Sequence, residues 1–471
     1  MQTSNETKRQ RVLVLSVFAP VPITNGGTER TAILYSNLAS KAETIFLWPA
    51  NPGENGLAQV PGGAWQISVG LEEEISTQIK QTQLMWGPIG WGPAFGKYIK
   101  YSKKFMETVE RLAASADVII LSQPWLVDSV PDNFNGKLIY DAHNFEQELL
   151  RSFLSNSYMG VPIDLVKIRE MDLISEIERQ ENTAVALSKQ IFCVSDFDLS
   201  LFITKYNVKK FTLVNSGVSV ENLFKVKSRE KNKVLFFGSS HPPNLDALYI
   251  IADLAAAFPK VEFNIYGDVC YGFKSPPRNM KLHGRVSEER LRNNLESATI
   301  FVNPINSGAG ISLKFLQALH SGIPVLTTSL GARGVPQQSP SIYVVSPLSD
   351  FQENLEKMLL NSKAAQVIGD AGKNFVALNY NWEVINSSFQ REIFGMIPSQ
   401  DKFVNRENFL DHNQLVWYPT IGASNSIYVK ESQALISQKN NLWAVKILRR
   451  MLSDKYFIKL RAVYYLVRSL K

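Results

Sequence analysis

The sequence is poor in residues that staple a chain or carry it through a membrane. Only two cysteines, Cys193 and Cys270, stand in 471 residues, each beside apolar neighbours that read as strand ends. That is too few for a disulfide scaffold, and buried thiols of a reducing compartment are expected. No uninterrupted run of about 18 apolar residues occurs, so no spanning helix is expected. The first apolar run, Val12 to Phe18, is not followed by Gly-x-Gly-x-x-Gly, which excludes the usual dinucleotide fingerprint. It follows a polar opening, MQTSNETKRQ, with no small-residue cleavage pattern after it, and a cytoplasmic protein is expected.

Excess charge is also scarce, except in one place. The net charge is +7, and between Asn440 and Lys471 eight basic residues (Lys446, Arg449, Arg450, Lys455, Lys459, Arg461, Arg468, Lys471) face the single acid Asp454. The tail therefore carries the whole excess. No nucleic-acid-binding module accompanies it, so nucleic acid is not the expected partner.

What is present is a globular composition, 45% hydrophobic and 20% charged. At roughly 150 residues per domain, the length suggests two or three units. Short apolar runs alternate with amphipathic stretches. Strands are expected at Arg11–Phe18, Thr44–Trp48, Asp117–Leu121, Lys137–Asp141 and Gln190–Ser195, with helical patterns at Thr28–Ser40, Lys100–Ala114 and Leu165–Leu187. After the charged stretch KVKSREKNK (225–233), which reads as a linker, the alternation restarts at Val234–Gly238, Val261–Gly267, Thr299–Asn303, Pro324–Thr328 and Ile342–Val345. Nearly continuous apolar strands between helices point to α/β architecture: two Rossmann-like, doubly wound parallel-sheet domains facing across a cleft. Residues 50–98, with Gly and Pro clusters and Trp65, Trp86 and Trp91, read as irregular, either an acceptor-contacting insertion or a plain surface loop.

Three segments could carry chemistry. Asn25-Gly26-Gly27-Thr28 precedes a helix, where glycines let the backbone approach an anion at the positive helix end or simply make a tight turn. Asp141-Ala142-His143-Asn144-Phe145-Glu146 ends a strand. His143 and Glu146, at i and i+3, can share one face as a clamp on a sugar hydroxyl or a developing charge; alternatively Asp141 or Asn144 caps the next helix. The third segment, Asn303 to Lys314, places Gly308 and Gly310 in a strand-to-helix turn whose N–H groups, with Lys314, can hold a diphosphate. Asp196-x-Asp198 spells a metal motif but reads as a cap after Ser195, and no metal is expected.

In order, FFGSSHPPNLDA (236–247), IYGD (265–268), LHGRVSEERL (282–291) and NSGAGISLKFLQALHSGIPVLTTSLGARG (306–334) resemble the donor domain of retaining glycosyltransferases of family four. The Pro-Asn-x-Asp-Ala at 243–247 and Gly-x-Gly-x-x-x-Lys at 308–314 are similar to one branch of that family. PITNGGTER (22–30), YDAHNFE (140–146), CVSDFD (193–198) and VNSGV (214–218) resemble its acceptor-domain landmarks, and the likeness spans about residues 11–395. The resemblance implies a GT-B fold. Its expected parts are an acceptor-side domain at 1–225, a nucleotide-sugar donor domain at 226–380, a crossover helix at 381–397 and an extension at 398–471.

It also implies roles. Gly26 and Gly27 would lie near the donor phosphates or the acceptor, and His143 at the reacting sugar, with Glu146 as its companion. Gly238 and Asn244 would stand in the donor site, and Gly267 with the Arg285–Val286 backbone would flank the base. Gly308, Gly310, Ile311, Ser312 and Leu313 would hold the pyrophosphate and sugar, with Lys314 and Gln317 completing the set. The activity implied is retaining, metal-independent transfer from a nucleotide-diphosphate sugar to a glycan or lipid-linked acceptor, without a cofactor. Where many members carry two glutamates eight residues apart, this chain has Ala309 and Gln317. The basic pair often found after the first glycine turn is replaced by Ser239, Ser240 and His241, leaving Lys314 and Arg333 as substitutes. A protein that binds a nucleotide-sugar or glycan without turnover is therefore the alternative. An epimerase of the same architecture lacks a convincing set of acid–base residues. The tail at 440–471 suits a basic amphipathic helix on an anionic membrane surface, which would make the protein peripheral at the inner face, or else a helix packed on the protein itself.

Overall fold

The computed structural model describes residues 9–23, 26–60, 62–86, 90–155, 172–207, 210–219, 229–336, 338 and 341–395. The expected extension at 398–471, with its basic helix, lies outside the described residues, as does the start of the helix expected from Leu165. The chain forms two compact units. Among the described residues the first comprises 9–147, 172–214 and 385–395, and the second 148–155 and 215–384.

The first unit runs β1 (Gln10–Ser16), α1 (Gly26–Ser36), β2 (Ala42–Ala50), β3 (Gly56–Gln59), β4 (Trp65–Gly70), α2 (Glu73–Trp86), α3 (Trp91–Tyr98) and α4 (Lys103–Ala113). It continues through β5 (Val118–Ser122), β6 (Lys137–Ala142), the start of α5 (Glu146–Ser155), which passes to the second unit from Glu148, then α6 (Leu173–Leu187), β7 (Gln190–Cys193), α7 (Asp196–Tyr206) and β8 (Phe211–Leu213). Strand order is β3-β4-β2-β1-β5-β6-β7-β8. Every pair is parallel except the β3–β4 hairpin at the edge. Val12, Leu13, Val14 and Leu15 of β1 are wholly buried, as a central parallel strand covered on both faces requires. Full burial of each such side chain contributes about 1.5–3 kcal/mol.

Residues 50–98 depart from expectation, forming β3, β4, α2 and α3. The glycines that suggested a loop mark close packing inside α3. A Cβ on Gly92 would stand 2.3 Å from Trp125 Nε1, and one on Gly96 2.1 Å from Gln180 Oε1. Small residues admit these neighbours against the helix, and composition alone does not distinguish that use from a turn.

The second unit contains β9 (Lys233–Phe237), α8 (Pro242–Ala257), β10 (Glu262–Tyr266), β11 (Met280–Leu282), α9 (Glu288–Ser297) and β12 (Ile300–Asn303). It then runs through α10 (Leu313–His320), β13 (Val325–Thr327), β14 (Val344–Val345), α11 (Phe351–Leu360) and α12 (Ser362–Asn379). Its sheet is parallel throughout, in the order β11-β10-β9-β12-β13-β14. The last helix, α13 (Trp382–Phe394), opens in this unit. From Ile385 onward it belongs to the first unit, where Phe389 packs on Tyr35 and Phe192 at 5.7 and 5.4 Å.

The second half of the charged stretch read as a linker is structured. Arg229 donates to the carbonyls of Leu295 at 2.9 Å, Glu296 at 3.3 Å and Ala298 at 3.0 Å, satisfying the C-terminal end of α9. Its charge serves the fold, which a count of charges along the chain does not reveal. Arg229→Ala should destabilise the second unit by about 1–3 kcal/mol, read by urea unfolding. No loss would mean the three carbonyls are equally well satisfied by water.

Candidate functional site

Both sheets reverse their strand order within their parallel part. In the first, β1 has β2 on one side and β5 on the other; in the second, β9 lies between β10 and β12. At such switch points the loops leaving the carboxyl ends diverge and leave a crevice. The residues with unusual chemistry gather there in each unit.

In the first unit the organising group is Asp141, at the end of β6 and wholly buried. Arg30 of α1 donates to it from Nε at 3.0 Å and from Nη2 at 2.6 Å, and the Tyr35 hydroxyl donates to its second oxygen. His143 Nε2 lies 3.4 Å from the same carboxylate and 3.2 Å from Ser122 Oγ, which meets Thr31 Oγ1 at 3.0 Å. Burial works against the charge on Asp141, but Arg30 and the hydrogen bond with His143 outweigh it and hold the carboxyl well below the usual range. Burial likewise opposes the charge on Arg30, and Asp141 raises its pKa in spite of that. Tyr35 is pushed up by burial and by Asp141, so it remains a donor.

Sequence reasoning left Asp141 as a candidate cap and did not identify Ser122 or Tyr35. Neither Asp141 nor Asn144 caps α5. The N–H of Phe145 donates to Asp198 at 3.1 Å, and those of Glu146 and Gln147 to Glu181 at 2.8 and 3.3 Å. Asp198 of the Asp-x-Asp thus serves a neighbouring helix, while Ser195 caps α7 by accepting from the Asp198 N–H at 3.0 Å. A usable signal for the network was Arg30 itself. It lies among Thr28, Thr31, Leu34 and Tyr35 on the buried face of α1, where a guanidinium requires a carboxylate.

His143 and Glu146 are not joined by a hydrogen bond or ion pair, and they belong to different networks. Glu146 accepts from Asn144 Nδ2 at 3.2 Å. Burial, then the charges of Glu181 and Asp198, raise it to about 8. Burial raises Glu181 to about 7, against the two backbone N–H groups it accepts. The direction is common to both: this pair retains a proton near neutral pH.

In the second unit, the loops after β9 and β12 meet through Lys314. Its ammonium donates to Asn244 Oδ1 and lies 4.4 Å from the centre of the Phe236 ring. Asn244 in turn donates to the Ser239 carbonyl at 3.0 Å. A Cβ on Gly238 would stand 2.8 Å from the Asn244 side chain. Burial, then Arg333, holds the Lys314 pKa well below its usual value, and no described carboxylate pairs with it. Crowding by surrounding atoms and the charges of Lys314 and Arg333 lower His241 as well. His241 is exposed, with both cations acting on its ring. Arg333 donates to the Ala309 carbonyl at 2.8 Å and to the Leu330 carbonyl at 2.8 Å, bracing the turn at Gly308 and Gly310. Phe236 was not anticipated; an aromatic beside a strand end is an ordinary core residue until the lysine is placed over it.

Gly267 adopts φ 92° and a Cβ there would stand 2.3 Å from the Gly238 carbonyl oxygen, so the loops after β9 and β10 touch at glycine. Gly267 N–H donates to Gly284 at 2.8 Å, which brings Arg285 and Val286 beside them. Arg285 is an exposed ion pair with Asp268, and Val286 packs on the core. Ile311 and Leu313 also turn to the core, leaving their backbone as the part that can meet a ligand. Ser312 precedes α10 without a side-chain cap bond. Gln317, one turn on, is half-buried, and its side chain has no hydrogen-bond partner among the described residues. Gly26 and Gly27 open α1 in the first unit, one turn before Arg30.

Residues 231–361, within this second unit, match the family described as glycosyl transferases group 1. A Klebsiella pneumoniae protein, described as an uncharacterized 44.6 kDa protein in cps region, is 23% identical over 290 residues, 54% of this chain and 74% of its own. Sucrose-phosphate synthase from Thermosynechococcus elongatus superposes with a TM-score of 0.60 at 13% identity, over 83% of this chain and 100% of its own. Anabaena HepE in complex with UDP-glucose does so with a TM-score of 0.55 at 11% identity, over 82% of this chain and 100% of its own. These likenesses show a GT-B fold of two parallel-sheet α/β domains. With the group 1 domain in its second unit, the chain is a glycosyltransferase.

Glu146 and Glu181 bind protons more tightly when folded, at about 8 and 7, than at their ordinary 4.5. Their contribution to stability is therefore full below about pH 4.5 and lost as pH rises through 7 and 8. Glu146→Gln should flatten the fall in unfolding temperature between pH 6 and 9. An unchanged slope would exclude a proton retained on Glu146.

Proposed function

We propose that the protein transfers a sugar from a nucleotide-diphosphate sugar to a glycan or lipid-linked acceptor, with the donor's diphosphate resting on the loops around Lys314. The observation that carries this is the half-buried Lys314 side chain at the β9/β12 switch point, held over Phe236 and against Asn244, with no described carboxylate against the lysine. A diphosphate supplies the missing charge. The backbone N–H groups of Gly310 to Leu313, at the head of α10, add donors of the same sign. The base would lie against Gly267 and the Arg285–Val286 backbone.

Metal-independence is part of the reading, because a helix terminus and a lysine can take up the charge of the leaving diphosphate. Retention rests on the resemblance to family four. His143 would serve the reacting sugar. Glu146 in its protonated form can donate a hydrogen bond, although its tie to the α5 cap argues first for a positioning role. A relative named for a cps region and a structural neighbour solved with UDP-glucose support polysaccharide assembly and make uridine donors the first to test. Contact of 440–471 with an anionic membrane face belongs to the same proposal; no helix among the described residues is long and apolar enough to cross a membrane.

Binding without turnover is the second reading. Ala309 is buried with its carbonyl held by Arg333, where family members often present a carboxylate to the donor sugar. A thermal-shift panel of nucleotides and nucleotide-sugars separates the outcomes. A donor at about 100 times its Kd should add about 2.7 kcal/mol of stability, and Lys314→Met should abolish the gain. Stabilisation with neither transfer nor hydrolysis selects the second reading. No stabilisation by any diphosphate removes the donor site.

A further inference from the structure

The His143 ring has one nitrogen engaged and one that is not. Nε2 faces Asp141 and Ser122 at 3.4 and 3.2 Å. Nδ1 is buried and has no hydrogen-bond partner among the described residues, although only 6% of the side chain is exposed. Native proteins rarely leave such an atom unsatisfied, and those that do generally use it.

Which nitrogen carries the proton follows from its neighbours. Asp141 receives Arg30 and the Tyr35 hydroxyl on its two oxygens and is ionised, so it only accepts. A ring nitrogen facing an ionised carboxylate is stabilised when it bears hydrogen. In the Nε2–H tautomer, Nδ1 carries a lone pair. Ser122 adapts to this arrangement, because its hydroxyl can accept from Nε2 and donate to Thr31 Oγ1 at 3.0 Å.

The surroundings of the ring fit a carbohydrate. Phe18, on the loop after β1, lies 6.5 Å from the imidazole and stacks at 6.3 Å on Trp91. Trp91 Nε1 is a second buried polar atom without a described partner. Aromatic faces beside an isolated acceptor and an isolated donor match a sugar, whose C–H faces pack on rings while its hydroxyls take up both kinds of hydrogen bond.

We propose that Asp141 holds His143 as the Nε2–H tautomer, with Ser122 steadying the ring, and presents its Nδ1 lone pair to a hydroxyl of the saccharide acceptor, with Arg30 fixing Asp141 and Trp91 Nε1–H donating to the same sugar. This rests on the transferase reading and deepens it. It makes Ser122, Asp141 and Arg30 positioning residues of an acceptor site in the first unit, and it needs no covalent step.

The test is histidine ¹⁵N NMR on the full-length protein at neutral pH, with the His143 signals assigned by their loss in His143→Gln. The expected result is a neutral Nε2–H ring, with Asp141→Asn shifting it toward the other tautomer or a mixture. An Nδ1–H ring in the native protein overturns the proposal, as does an Asp141→Asn variant with an unaltered tautomer. Should Asp141→Asn fail to fold, Ser122→Ala keeps the test: its His143 must remain Nε2–H, because the carboxylate decides the tautomer. A panel of methyl glycosides is then titrated in. At least one should move the His143 Nδ1 signal and the Trp91 indole N–H together, and Trp91→Phe should weaken that glycoside several-fold. If no glycoside moves either signal, the carbohydrate assignment falls. Donor binding, read separately by thermal shift with UDP-sugars, tests the transferase reading independently of either result.

Discussion

A parallel sheet ends all its strands on one side, and where its order reverses, two loops must part. This constraint places everything of chemical interest in the molecule. In the first unit the reversal falls between β1 and β5, and the loops there bring Phe18, Ser122 and His143 together. In the second it falls between β9 and β12, where Asn244 meets Lys314. The sheets do not resemble each other in strand number or edge, yet each offers its polar residues at the corresponding place.

The two sites solve opposite electrostatic problems. Arg30 and Asp141 form an enclosed ion pair whose charges are matched by hydrogen bonds from Tyr35 and His143. Such a pair adds little net stability over apolar packing, but loss of either partner leaves a buried charge, at a cost of about 3–5 kcal/mol. Its value is positional: it ties the first turns of α1, and so Gly26 and Gly27, to the strand that carries His143. Around Lys314 the balance is deliberately incomplete. Arg333 and Lys314 repel each other, and the depressed pKa of Lys314 records the strain.

Arg333 grips the Ala309 carbonyl, so the turn is braced by a side chain outside it. In the first unit Glu181 and Asp198 are committed to the backbone at the start of α5.

The sequence by itself determined the alternation of strands and helices, the two-unit α/β architecture and the glycine turn before Lys314. These depend on local periodicity and on backbone conformations that few residues tolerate. It misread 50–98, because Gly92 and Gly96 admit Trp125 and Gln180 from distant parts of the chain. It likewise took Arg229 for linker charge, though the carbonyls that Arg229 satisfies lie 66 or more positions away. Only the tertiary structure decided that Asp141 pairs with Arg30 rather than capping a helix, that His143 and Glu146 serve separate networks, and that Lys314 lies over Phe236. Each of these is a choice among partners far apart in sequence, made by burial and by the need to match charge in a low dielectric, and no local pattern encodes it.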